Sequence, residues 1–202
     1  MDSDIFNQHS TEYNDHMQRT GHYNAQNEIL KLIMQFIKSP ILDLACGPGH
    51  LLKELSKTFS ELKGNDLSEN MIQLAKQNNP QLTFTNDDAT ELISYHQKFK
   101  TIFCVNTLFY LDNKEKAIER WKDLLEEKGK LIIIEEYPFV YPNNKFLEGL
   151  KLNPLSPEQI IKLMSNLKLK LIYQNNIKID DKHKLFVFVF ESLLHPINFI
   201  ST

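Results

Sequence analysis

Apolar positions along the chain change period several times, and each change marks an element. Ile41, Leu42 and Leu44 form a short apolar run behind Pro40, the signature of a buried strand. Small residues follow at Ala45-Cys46-Gly47-Pro48-Gly49. Leu51, Leu52, Leu55 and Phe59 then take up helical spacing and predict a helix over about 50–59. The cycle repeats. Residues 62–67 read as a second strand, Ser68 as an N-cap, and Met71, Ile72, Leu74 and Ala75 as the apolar face of a helix halted by Asn78-Asn79-Pro80. Residues 82–85 predict a third strand ahead of Asn86-Asp87-Asp88, and a short helix or turn carries Leu92 and Ile93. Residues 101–105 are β-branched and apolar throughout, as expected of a strand covered on both faces.

Asp112 with Glu115 three residues later resembles a capping box, Ala117, Ile118, Trp121, Leu124 and Leu125 give one helical face, and Gly129 is placed for a C-cap. Residues 131–134 predict a fifth strand. A long connection over 137–155 follows, with Pro138, Pro142 and Pro154 among Tyr137, Phe139, Tyr141 and Phe146. Ser156-Pro157-Glu158-Gln159 combines an N-cap serine, a first-turn proline and a closing glutamine. The helix it opens carries Ile160, Ile161, Leu163, Met164 and Leu167. Residues 169–179 and 185–190 read as two strands joined at Asp180-Asp181-Lys182, and 193–202 as a tail. Upstream, Ile29, Leu30, Ile33, Phe36 and Ile37 form a helical face that Ser39-Pro40 ends.

Alternation of this kind predicts an α/β fold, doubly wound, with helices on both faces of a mostly parallel seven-stranded sheet, a C-terminal antiparallel hairpin and an N-terminal helical cap. Residues 1–202 are expected to form a single domain. Its parts are a cap (1–38), a cofactor-binding core (39–136), a substrate-side loop (137–155), a helix and hairpin (156–192) and a tail (193–202). Ligands of such sheets sit beyond the carboxyl ends of the strands, beside the first strand.

Composition narrows the class. The chain has 202 residues, 42% hydrophobic and 24% charged, enough for one sizeable core. Its net charge of −3 gives no reason to expect nucleic acid. No apolar run approaches the roughly 18 residues of a membrane span. The start, Met1-Asp2-Ser3-Asp4, is acidic and unlike a signal peptide. The two cysteines, Cys46 and Cys104, lie in apolar segments and read as reduced core thiols. A cytoplasmic protein, monomer or dimer, without a membrane partner is expected.

The candidate chemistry gathers at strand ends. A strand that runs into a glycine turn and then a helix leaves backbone N–H groups free beside a helix N-terminus. Asp43, Asp66 and Asp88 fall late in or just past the first three strands. Asp66 follows Gly47 by 19 residues, close to the roughly 20 at which an acid meets a ribose hydroxyl. A dinucleotide turn wants a third glycine, and His50 stands there; no phosphate-loop motif occurs. The turn therefore suits a nucleoside without pyrophosphate.

These residues carry a family resemblance. Leu42-Asp43-Leu44-Ala45-Cys46-Gly47-Pro48-Gly49 resembles the first motif of class I S-adenosylmethionine-dependent methyltransferases, residues 64–71 the second, and Asp88-Ala89 the third. Residues 103–112 resemble the strand-four segment and 129–133 the fifth-strand motif, so the likeness spans about 30–192. It implies a cofactor, S-adenosylmethionine, and a product, S-adenosylhomocysteine. It implies that Asp43 orients the glycine turn and the methionine amino end, and that Ala45, Gly47 and Gly49 bring backbone close to the cofactor. Asp66 would bind the ribose hydroxyls and Leu67 pack on the adenine. Asp88 and the Ala89 backbone would read the adenine edge, and Asn106 would offer its carbonyl to the ammonium. Tyr13, Arg19, Cys46 and Met71 complete the expected cofactor set. Two positions depart from the pattern: Ala45 replaces a glycine, and Tyr110 stands where many small-molecule members carry histidine.

Methyl transfer from a sulfonium is an in-line displacement, so alignment and exclusion of water do most of the work. Catalytic candidates are Tyr13, His16, Tyr110 and Glu136, with Arg19, Glu135 and Tyr137 nearby. No Cys/His ligand pattern accompanies His9, His16 and His22, and no metal is expected. The rings of 137–155 either line an acceptor pocket or pack their loop onto the core. The lysines at 162, 168, 170, 178, 182 and 184 read as a solvated face. The leading expectation is methyl transfer to a small-molecule acceptor. Alternatives are a non-catalytic cofactor-binding partner, a protein or RNA methyltransferase, and a dinucleotide oxidoreductase.

Overall fold

The computed structural model describes residues 4–139 and 150–193. Its order is α1 (Asp4–Gln8), α2 (Ser10–Arg19), α3 (His22–Ile33), β1 (Ile41–Leu44), α4 (His50–Leu55), β2 (Leu62–Asp66), α5 (Glu69–Asn78), β3 (Thr83–Asn86) and β4 (Phe99–Val105), then α6 (Lys114–Leu124), β5 (Leu125–Tyr137), α7 (Pro157–Asn166), β6 (Leu169–Lys178) and β7 (Lys184–Ser192). Seven strands form one sheet in the order β3-β2-β1-β4-β5-β7-β6. The β1–β5 pairings are parallel, and β7 runs antiparallel to both β5 and β6. The strand order reverses between β1 and β4, which makes the carboxyl end of β1 the switch point.

Strand alternation explains the two layers. Leu42, Leu44, Ile102, Cys104, Leu131, Ile133, Phe188 and Phe190 point to one face, where they meet Ile118 and Trp121 of α6 and Ile160 and Met164 of α7. Ile41, Phe103, Ile132, Ile134, Val187 and Val189 point to the other. There they meet Ile29 and Ile33 of α3, Leu52 and Leu55 of α4, and Ile72 and Ala75 of α5. With both faces covered, Ile102–Cys104 of β4 and Leu131–Ile134 of β5 are fully buried apolar runs, as the composition of residues 101–105 had predicted.

Several boundaries differ from expectation. The N-terminal cap is three helices rather than one amphipathic stretch, with Gly21 in the left-handed region at φ 79° breaking α2 from α3. The helix expected over 50–59 closes at Leu55, and a turn carries 56–58. Asn113, not Asp112, caps α6, its side chain accepting from the Lys116 N–H. Gly129 is not a C-cap, because α6 ends at Leu124 and β5 starts at Leu125. Of the short helix or turn expected at Leu92 and Ile93, the structure shows the turn. By contrast, the capping box at Ser156 forms with both reciprocal hydrogen bonds. Tyr141, Pro142, Phe146 and most of the expected tail lie outside the described residues.

Candidate functional site

Two adjoining cavities open at the carboxyl ends of β1, β2 and β4. The larger is an open cleft of about 550 Å³, counting space continuous with solvent, and is lined by Phe6, Tyr13, Ala45, Gly47, Asp66, Leu67, Met71, Asp88, Ala89, Val105, Asn106, Thr107 and Tyr110. The smaller, about 390 Å³, lies under the cap between Tyr13, Met17, Tyr23 and Gln26 on one side and Asp43, Cys46, Pro48 and His50 on the other. Tyr13, Ala45, Gly47, Val105 and Asn106 line both and mark the junction.

The glycine turn makes the junction possible. Ala45 and Gly47 both have positive φ, at 49° and 52°. A Cβ added at Gly47 would meet nothing within 4 Å, so the turn presents bare backbone to open space. Gly49 is different. Its added Cβ would lie 2.8 Å from Asn79 Nδ2, 3.2 Å from Phe84 and 3.3 Å from Ala75. Gly49 lines neither cavity. It is small so that β3 and α5 can close on the turn, which corrects the expectation that it brings backbone to a ligand.

Asp66 is the best-fixed acid of the three. Its Oδ2 accepts from the Gly47 N–H at 2.9 Å and its Oδ1 from the Ser68 N–H at 2.9 Å. Burial pushes its carboxyl up to about 6 against the pull of those N–H groups. The glycine turn is thus gripped by Asp66, not by Asp43 as expected. Asp43, 2% exposed, has no hydrogen-bond partner for its carboxyl among the described residues and lines the smaller cavity. Burial, then the nearby Asp66, raise it well above the ordinary carboxylate range. Asp88 accepts from the Thr90 N–H and hydroxyl, both at 2.7 Å, which orients the turn that carries Ala89. The Trp121 indole fixes the same turn by donating to the Ala89 carbonyl at 2.6 Å.

On the β4 and β5 side, Asn106 adopts φ 47° and its side chain accepts from the Glu136 N–H at 3.1 Å. Glu135 is buried and accepts from the Thr107 and Leu108 N–H groups at 2.9 and 2.8 Å. Burial raises its carboxyl to about 8. Glu136 meets His22 Nε2 at 3.1 Å, with both side chains buried, and His22 Nδ1 lies 2.7 Å from the Thr20 hydroxyl. Burial keeps the Tyr13 and Tyr110 phenols well above their ordinary range, so both stay protonated.

Of the expected cofactor set, eleven residues line one cavity or the other; Gly49 and Arg19 line neither, and Arg19 is exposed. His16 is half-buried with its ring 6.4 Å from His22, outside both linings, and Tyr137 is exposed. The sequence reading missed Phe6, Tyr23, Gln26 and Thr107, and His22 beside Glu136. Phe6 lies in a segment without apolar periodicity; Tyr23 and Gln26 precede the apolar face read on α3, and Thr107 sits within the strand-four segment without a signal of its own. The described residues contain no group of three potential metal ligands and no helix long and apolar enough to cross a membrane.

Comparison with known proteins shows what this edge resembles. Residues 41–129 match the family model described as a methyltransferase domain. The chain is 31% identical to YqeM of Bacillus subtilis over 122 residues, covering 55% of this chain and 49% of that protein. It is 26% identical to the demethylmenaquinone methyltransferase of Thermotoga maritima over 126 residues, covering 61% and 54%. The chain thus spans about half the length of these relatives. Among solved structures, magnesium protoporphyrin IX methyltransferase (ChlM) from Synechocystis, with bound SAM, superposes with a TM-score of 0.71. It is 17% identical and 94% of each chain is covered, a likeness of fold. Residues 41–129 thus resemble a methyltransferase domain, and the sheet as a whole has the fold of the superposed methyltransferase structure.

Proposed function

We propose that the chain binds S-adenosylmethionine across the two cavities and transfers its methyl group to a small-molecule acceptor. The observation that carries this reading is the Asp66 carboxylate. It stands at the end of β2, fixed by Gly47 and Ser68 N–H groups, beside backbone that no Cβ covers. Two fixed carboxylate oxygens suit a vicinal diol.

The residues divide by cavity. Leu67 and Met71 give the larger cavity an apolar wall for a base, and Asp88 with the Ala89 N–H faces its edge. In the smaller cavity the unpartnered Asp43 carboxyl and the turned backbone of Asn106 suit an ammonium group. Tyr13, at the junction, closes both cavities over the reacting centre. When bound, the sulfonium supplies an already activated methyl group. The chain then has to align a nucleophile and keep water out. Tyr13 and Tyr110 supply an aromatic lining that suits an apolar or planar acceptor. The Thermotoga relative's name points the same way, to a quinone precursor. As protonated phenols, Tyr13 and Tyr110 can donate a hydrogen bond but not take a proton. Glu136, the remaining catalytic candidate, is buried against His22 and lines neither cavity.

Titration calorimetry with S-adenosylmethionine, S-adenosylhomocysteine and NADH tests the cofactor, and methyl release over a metabolite pool tests the reaction. Binding of NADH without either sulfur nucleoside would overturn the reading.

A further inference from the structure

Helix α1 has five residues, none of them buried, and packs on α5 and α2. Alone it could not hold a position. Asn7 ties it down. The Asn7 Oδ1 accepts from the Ser68 hydroxyl at 2.7 Å and from the Asn70 N–H at 3.3 Å, and the Asn7 carbonyl accepts from Asn70 Nδ2 at 2.6 Å. These bonds fasten α1 to the first turn of α5, one residue beyond Asp66-Leu67. The neighbouring Phe6 then lies over the larger cavity. It meets Tyr110 edge-to-face at 5.3 Å and Tyr13 at 6.1 Å. The fastening is continuous with the binding site: Gly47 N–H to Asp66, Asp66 to the Ser68 N–H, the Ser68 hydroxyl to Asn7.

We propose that Phe6 is a binding residue for the nucleoside and that Asn7 is its positioning residue, a latch that sets how long a bound nucleoside stays. This rests on the cofactor reading above. Phe6 lines the same cavity as Leu67 and Met71, so a base held there meets apolar surface from α1 as well as from the loop and helix after β2. With so little buried surface, α1 opens far more readily than the sheet. Release requires the Asn7 bonds to break first. Because Ser68 contacts both Asp66 and Asn7, a ligand that holds the Asp66 carboxylate in place also holds the latch, and the coupling runs equally in the other direction.

The probe is S-adenosylhomocysteine, followed by rapid-mixing displacement on the full chain. Trp121 is the only tryptophan, and its indole holds the Ala89 turn of the cavity, which makes it the reporter. Asn7→Ala and Asn70→Ala should each raise the dissociation rate about tenfold, the loss expected for one or two hydrogen bonds. Phe6→Ala should do at least as much, while association changes by less than about threefold, since affinity differences among variants of one site fall mostly on release. None of the three side chains is fully buried, and Asn70, on α5, is exposed, so folding is preserved. Wild-type release rates in Asn7→Ala and Asn70→Ala would overturn the latch, and wild-type release in Phe6→Ala would remove Phe6 from the site. If the wild-type chain failed to bind the probe at all, the cofactor reading itself would fall, and the latch with it.

Discussion

Two acids at the edge titrate in opposite service. Asp66 is held at about 6 by burial against two backbone N–H bonds. Only its ionised form offers two acceptors to a diol. Nucleoside affinity should therefore fall as pH drops through about 6, and Asp66→Asn should weaken binding by about 1–3 kcal/mol at pH 7.5. Calorimetry from pH 5 to 8 checks both, and a flat wild-type profile would contradict the assignment. Glu135 bears on stability instead. Its folded value, about 8, lies above the ordinary 4.5, so the folded state binds the proton more tightly than the unfolded chain. Its contribution is present at low pH and is lost as pH rises between those two values. Glu135→Gln keeps an oxygen for the Thr107 and Leu108 N–H groups and cannot ionise. The variant should melt above wild type at pH 8, with the difference closing near pH 5.

Among the elements, the glycine turn shows what a sequence can and cannot disclose. Its strand, its turn and the opening of α4 were legible because apolar spacing changes there and glycine marks the change. The division of labour inside the turn was not. Gly47 faces open space and Gly49 faces Asn79, Phe84 and Ala75, a distinction set by β3 and α5, which lie far along the chain. The grip on the turn passed from Asp43 to Asp66 for the same reason: only the register of β1 beside β2 decides which carboxylate reaches Gly47 N–H. Gly49→Ala should thus destabilise the fold by about 1–3 kcal/mol, from the left-handed φ of 81° and the crowding at Asn79. Nucleoside affinity of the folded variant should change little. Thermal melting and calorimetry on one preparation separate the two effects. Cap residues such as Phe6 and Asn7 were illegible because a five-residue helix with no buried side chain leaves no hydrophobic period to read.

At the scale of the molecule, the sheet serves as a rigid frame that brings strand ends to one edge. Two apolar layers, built on Trp121 and Phe103 among others, fix the five parallel strands so that residues far apart in sequence share one opening. The cap α1–α3 closes that opening through His50 stacked on Tyr23 at 3.8 Å and through the buried His22–Glu136 pair. Frame and cap together bound the two adjoining cavities across which we propose that the nucleoside and its charged tail bind. The most direct test is titration calorimetry of the purified chain at pH 7.5 with S-adenosylhomocysteine and, separately, NADH. We predict one-site binding of S-adenosylhomocysteine, weakened in Asp66→Asn, and no heat from NADH. Binding of NADH with none of S-adenosylhomocysteine, or undiminished S-adenosylhomocysteine binding in Asp66→Asn, would contradict the account.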